Sequence, residues 1–170
     1  MRRETQRSVR FCLNGKERTE TVDVERSLLD VLRADFAIKG PKYGCGLAQC
    51  GSCTVLVDGA PARSCVLRAA KADGSEIVTL EGLADDERGV LHPVQQGFID
   101  AQGAQCGYCL NGMIMTTVAL LRANPAPSDT EIRSALRHNL CRCGTHQEIL
   151  ESVRRAASLT AARQAGGVAT

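Results

Sequence analysis

Tyr43-Gly44-Cys45-Gly46-Leu47-Ala48-Gln49-Cys50-Gly51-Ser52-Cys53 decides how this chain folds. Cysteines 45, 50 and 53 read C-x4-C-x2-C, and a fourth, Cys65, follows in the next hairpin. That spacing holds a 2Fe-2S cluster. Structural zinc sites instead favour two short knuckles separated by a longer insert. Gly44, Gly46 and Gly51 interleave the ligands. A loop of this composition can adopt positive φ and turn its N–H groups inward, toward thiolates whose cluster carries net negative charge.

The strand and turn signals on either side of this loop predict a β-grasp sheet. Ser8 to Leu13 and Thr19 to Val24 flank an Asn14-Gly15 hairpin turn, and Ser27 caps a short helix that buries Leu28, Leu29, Val31 and Leu32. Thr54 to Val57, the Asp58-Gly59 turn and Ala62 to Leu67 form a hairpin that returns Cys65 to the loop, with Ile77 to Leu80 as the last strand. Cys12, the ninth cysteine, alternates with Phe11 and Leu13 and reads as a passive strand residue.

Beyond Glu81 to Val90 the pattern turns helical. Pro93 opens a helix to about Gln102 with Val94, Phe98 and Ile99 facing inward. A second helix carries Cys106 and Cys109 at its start and ends at Asn124-Pro125. Ser128-x-x-Glu131 and Thr145-x-x-Glu148 read as capping boxes for a third and a fourth. Two antiparallel pairs would bring Cys106, Cys109, Cys141 and Cys143 together. Their spacing alone, C-x2-C and then C-x-C, leaves zinc and iron–sulfur both open. Met113 and Met115 read as core filling. The expected fold is α+β: a β-grasp domain over 1–82, a linker over 83–90, a four-helix domain over 91–160 and a flexible tail over 161–170.

Nine cysteines in 170 residues, without an apolar leader after Arg2-Arg3, predict reduced thiols and a cytoplasmic setting. No stretch reaches membrane-spanning length. A net charge of +2 with scattered basic residues argues against nucleic acid as a partner. With aromatic residues at 3% and no Trp, the core of each half is small, so metal binding is expected to contribute folding free energy.

Gln105-Cys106-Gly107-Tyr108-Cys109 with Asn139-Leu140-Cys141-Arg142-Cys143-Gly144-Thr145 resembles the iron–sulfur subunit of the molybdenum hydroxylases, the family of xanthine dehydrogenase and aldehyde oxidoreductase. The likeness covers about residues 8 to 157, with both motifs in the family's order. It implies a plant-type ferredoxin-like first domain and two 2Fe-2S clusters, on Cys45, Cys50, Cys53 and Cys65 and on Cys106, Cys109, Cys141 and Cys143. It also implies a large partner subunit holding molybdopterin, read as the cytosine dinucleotide form, with Gln105 contacting the pterin and Cys143 approaching its amino group. This chain would relay electrons and contain no catalytic residue. A cytochrome c or FAD subunit would accept them, and membrane association would come through partners.

Leu110-Asn111-Gly112-Met113-Ile114-Met115 departs from the Thr-Pro that many relatives carry after the C-x2-C pair, and His146 stands where Tyr is common. These variants, with His92-Pro93-Val94-Gln95-Gln96, look most similar to nicotinate dehydrogenase and isoquinoline oxidoreductase small subunits, which implies an N-heteroaromatic substrate such as nicotinate. The rival readings are the same role in an aldehyde dehydrogenase, a free-standing ferredoxin and a zinc adaptor. His138 and His146 read as surface residues, and His92 as a cap neighbour.

Overall fold

The computed structural model describes residues 5–85 and 88–166. Strands β1 (Gln6–Leu13) and β2 (Lys16–Asp23) pair antiparallel, closed by Asn14 and Gly15 at φ 50° and 76°. Positive φ at both turn positions matches the right-handed twist of the strands, which is why Asn-Gly closes such hairpins. Helix α1 (Leu28–Ala34) starts at Ser27, whose hydroxyl accepts the Asp30 N–H at 3.1 Å. Strands β3 (Thr54–Val57), β4 (Ala60–Arg63) and β5 (Glu76–Val78) complete a sheet of order β2-β1-β5-β3-β4, with β5 parallel to β1 and antiparallel to β3. This is the expected mixed sheet crossed by one helix. The β4 strand stops at Arg63, so Cys65 sits in the turn that follows it.

Val9, Phe11 and Leu13 of β1 pack with Val22, Leu28, Val31, Leu32, Val55 and Ile77 in one core. A second core joins Val94, Phe98, Met113, Met115, Val118, Ile132, Ile149 and Val153 from the helices, and it also takes Leu56 of β3. Because strand side chains alternate faces, Val55 and Leu56 serve opposite cores. The sheet is therefore covered on both sides at β3, and the helical half rests on its back.

Four helices make that half: α2 (Pro93–Asp100), α3 (Leu110–Ala123), α4 (Asp129–Leu136) and α5 (His146–Ala165). Several expectations need correction. Ile99 is 53% exposed, because Val94, Gly97 and Phe98 form the stripe that meets α5 and a residue one step past Phe98 rotates away. Cys109 is the residue before α3 rather than part of it, and Cys106 lies in the preceding bend. Helix α5 continues through Ala165, past the expected start of the tail at 161, on an alanine-rich run that favours helix. The tail's residues 167–170, and positions 86–87 of the linker, lie outside the described residues. Ser128 forms its capping box with Glu131 (Glu131 carboxylate to Ser128 N–H 2.7 Å), whereas Thr145, at ψ 35°, makes no side-chain cap.

His92 is itself the N-cap of α2: its Nδ1 accepts the Val94 N–H at 3.2 Å, and Gln95 Oε1 accepts the His92 N–H at 3.1 Å. Burial, then the charges of Arg122 and Arg163, lowers its pKa to about 4. A folded-state pKa below the unfolded value of about 6.5 means that unfolding takes up a proton. This contribution is complete above the unfolded pKa and declines as pH falls from there through 4. Unfolding by denaturant between pH 7 and pH 4 is expected to show a steeper loss of stability in the wild type than in His92→Asn, which keeps a capping side chain without the titration. Parallel curves would contradict this account.

Candidate metal centres

Residues 43–53 wrap around their own sulfurs. The N–H groups of Leu47 and Gln49 point at Cys45 Sγ, both at 3.3 Å, and that of Cys50 at 3.4 Å, while the Cys45 N–H points at Cys50 Sγ at 3.4 Å. Gly46 and Gly51 supply the positive φ expected of them, and Ala48 does so too, at φ 60°. Gly44 is needed for another reason: a Cβ there would lie 2.6 Å from Cys50 Sγ. The Leu47 N–H leads the donors that hold the Cys45 thiol down to about 7. Hydrogen bonds to the charged form favour a thiolate.

The thiols gather two by two. Cys45 lies within bonding reach of Cys50, and Cys53 of Cys65. In the second group Cys143 Sγ is 3.5 Å from Cys106 Sγ, and Cys109 reaches Cys141. Two thiolates on one tetrahedral ion with bonds of about 2.3 Å stand about 3.8 Å apart, close to the 3.5 Å between Cys106 and Cys143. Among the described residues no three ligand side chains close on a single point. Two bites per group suit a two-iron cluster, in which each iron takes two cysteines, and the N–H donors suit its negative sulfurs. The residues present therefore fit the group.

Each group also holds a thiol that resists ionisation. Burial pushes Cys53 up to about 11 against an opposing N–H from Cys65, and pushes Cys109 up to about 12 with the neighbouring Cys141 adding to the rise. Cys141 goes the other way: burial opposes its thiolate, but the hydroxyl and N–H of Thr145 outweigh it and hold the thiol at about 7. The Thr145 hydroxyl lies 3.2 Å from Cys141 Sγ, which explains why it does not cap α5. Metal binding would expel the protons that Cys53 and Cys109 keep.

The two groups are fastened to each other through the backbone. The Leu140 N–H donates to Cys50 O at 2.9 Å, and Tyr108 Oη donates to Tyr43 O at 2.6 Å. The guanidinium of Arg63 donates to His138 O at 3.0 Å and to the Thr54 hydroxyl, while Asn139, buried, donates to Thr116 Oγ1 at 3.2 Å. Asn111 Nδ2 donates to Ser52 O and Thr54 O at 3.0 and 2.8 Å. Sequence reasoning did not single out Arg63, Asn139 or Asn111 as site residues. Asn139 opens the motif over 139–145 and Asn111 is the unusual residue two positions past Cys109, whereas Arg63 left no signal.

Gln105 lies exposed beside exposed Cys106, outside any helix. His138 and His146 are exposed. Tyr43, Leu47, Tyr108 and Leu140 form a rim of exposed large side chains around the two loops. Among the described residues no helix is long and apolar enough to cross a membrane.

A 2Fe-2S iron-sulfur cluster binding domain matches residues 11–84, and a [2Fe-2S] binding domain matches residues 79–154. The chain is 55% identical over 152 residues to a nicotinate dehydrogenase subunit from Pseudomonas putida, covering 89% of this chain and 96% of that one. It is 43% identical to an isoquinoline 1-oxidoreductase subunit from Brevundimonas diminuta, over 88% of this chain and 97% of that one. The solved structure of quinoline 2-oxidoreductase from Pseudomonas putida 86 superposes with a TM-score of 0.88 at 39% identity, covering 95% of this chain and 98% of the matched one. This chain belongs to the family of small iron–sulfur subunits of the molybdenum hydroxylases, and its role is electron transfer within an oxidoreductase.

Proposed function

We propose that Cys45, Cys50, Cys53 and Cys65 hold the first 2Fe-2S cluster, that Cys106, Cys109, Cys141 and Cys143 hold the second, and that the chain carries electrons from a molybdopterin centre in a large partner through the second cluster to the first. The observation that carries this reading is the single hydrogen bond from Leu140 N–H to Cys50 O, which joins the residue before one ligand to the backbone of another. Clusters, when bound, accept and release one electron at a time. The protein's part is to fix their separation, donate N–H groups to the sulfurs and keep both loops rigid.

The open edge of the second group fits the donor side. Cys106 and Gln105 are exposed there, so Gln105 and Cys143 are assigned to contact the partner's pterin, in its cytosine dinucleotide form. Leu47 and Val66, exposed next to ligands of the first group, fit the exit toward a cytochrome c or FAD subunit. The substrate class assigned to the complex is an N-heteroaromatic such as nicotinate, supported by the relatives named above. The setting assigned is the cytoplasm, with any membrane association through partners.

Purification with native partners, followed by iron, sulfide and zinc analysis and paramagnetic resonance after reduction, tests the proposal. Two distinct signals and sulfide equal to iron are expected. Zinc in place of iron would eliminate electron transfer, and one signal would eliminate the second cluster.

A further inference from the structure

Asn111 lies fully buried at the second position of α3, with both amide hydrogens directed at the other half of the molecule. Its two acceptors, Ser52 O and Thr54 O, flank Cys53, a candidate ligand that is 2% exposed. Cys53 is held on its other sides as well: Ser64 Oγ donates to Cys53 O at 2.6 Å, and the Lys42 N–H donates to Ser52 O at 3.0 Å. The side chain of Asn111 departs from α3 two residues after Cys109, a half-buried thiol of the second group. One amide thus spans the interval between the inner ligand of one group and the inner ligand of the other.

Asn111 Oδ1 is buried and, among the described residues, accepts no hydrogen bond. A buried acceptor without a donor is costly, and an apolar side chain of similar volume would avoid that cost. The amide is therefore retained for its two donors. Holding Cys53 from both sides orients its Cα–Cβ bond, which sets the angle at which its sulfur enters the first cluster.

We propose that Asn111 is a positioning residue for transfer between the two clusters, clamping the backbone around Cys53 to the start of α3 so that the cluster separation and the Cys53 geometry are fixed together. This rests on the two-cluster reading above. The hydrogen bond from Leu140 to Cys50 gives the shorter bonded connection between the groups, and Asn111 acts by keeping its two ends in register.

The test uses the full chain in complex with its partners, as wild type, Asn111→Leu and Asn111→Asp. Leucine keeps the volume without donors, and aspartate keeps the shape while turning acceptors toward two carbonyls. Iron and sulfide content and the two reduced resonance signals are measured first, followed by the magnetic splitting between the clusters, which falls steeply with separation. Both variants are expected to retain both signals, with the wild-type splitting lost and the first cluster's g-values shifted while those of the second stay in place. Unchanged splitting and g-values in both variants would overturn the proposal. Failure of both variants to take up either cluster would overturn it too, by making Asn111 a folding residue alone. A wild type with one signal would sink the two-cluster reading itself, an outcome separable from the others.

Discussion

Cys141→Ala is expected to remove the second cluster's resonance signal, halve the iron and leave the first cluster's signal in place. Cys141 has the thiol that ionises most readily in its pair, through Thr145, and its partner Cys109 keeps its proton because of burial. Without Cys141, Cys109 is the one thiol of that pair left to bind, and it must first lose its proton. Substitutions in the outer shell of metal sites cost about 10- to 100-fold in affinity or activity, so loss of a ligand should reduce electron delivery by the assembled complex at least about 100-fold. The first group should survive because its loop supplies its own N–H donors from within residues 45–50. Iron analysis with resonance spectra reads both parts. Full iron content in Cys141→Ala would remove Cys141 from the ligand set.

Gly112→Ala is expected to produce the largest loss of stability by a single methyl group. A Cβ at 112 would overlap the carbonyl of Gly51, and Gly51 in turn has no room for a Cβ because Asn139 lies against it. Both obstacles are backbone or buried side chain, so neither can swing aside. Overpacking of this kind costs about 1–3 kcal/mol. Displacing α3 would also break the two Asn111 bonds to the loop, each worth about 1 kcal/mol net. The sum, about 3–5 kcal/mol, is a large part of the 5–15 kcal/mol that holds a typical domain together. Gly166→Ala, where the nearest atom to an added Cβ is 3.4 Å away and φ is −79°, is the control expected to stay close to wild type. Denaturation curves of the two variants check this, and coincident curves would contradict the close approach of α3 to the first loop.

Features within a few residues of one another were legible in the sequence. The Asn14-Gly15 turn, the Ser27 and Ser128 caps and the inward N–H groups of the loop over 45–50 depend on backbone geometry over two to five positions, and each appears as expected. Where another contact or the packing direction competed, the rule for the residue type lost. Thr145 has the residue type of an N-cap, yet its hydroxyl is used by Cys141, and Ile99 has the type of a core residue but stands one step off the stripe that meets α5.

The sequence by itself determined that the chain carries two cysteine groups of metal-binding type, that one half is a β-grasp sheet and the other helical, and that its surroundings resemble the molybdenum hydroxylase subunits. Only the tertiary structure decided which thiol pairs with which, that β3 is shared between two cores, and that Asn111, Gly112 and Gly51 lock the halves together. The physical reason is range. Turn, cap and loop preferences are written in the dihedral limits of adjacent residues, whereas Cys106 meets Cys143 only because α3 and α5 pack on a common core.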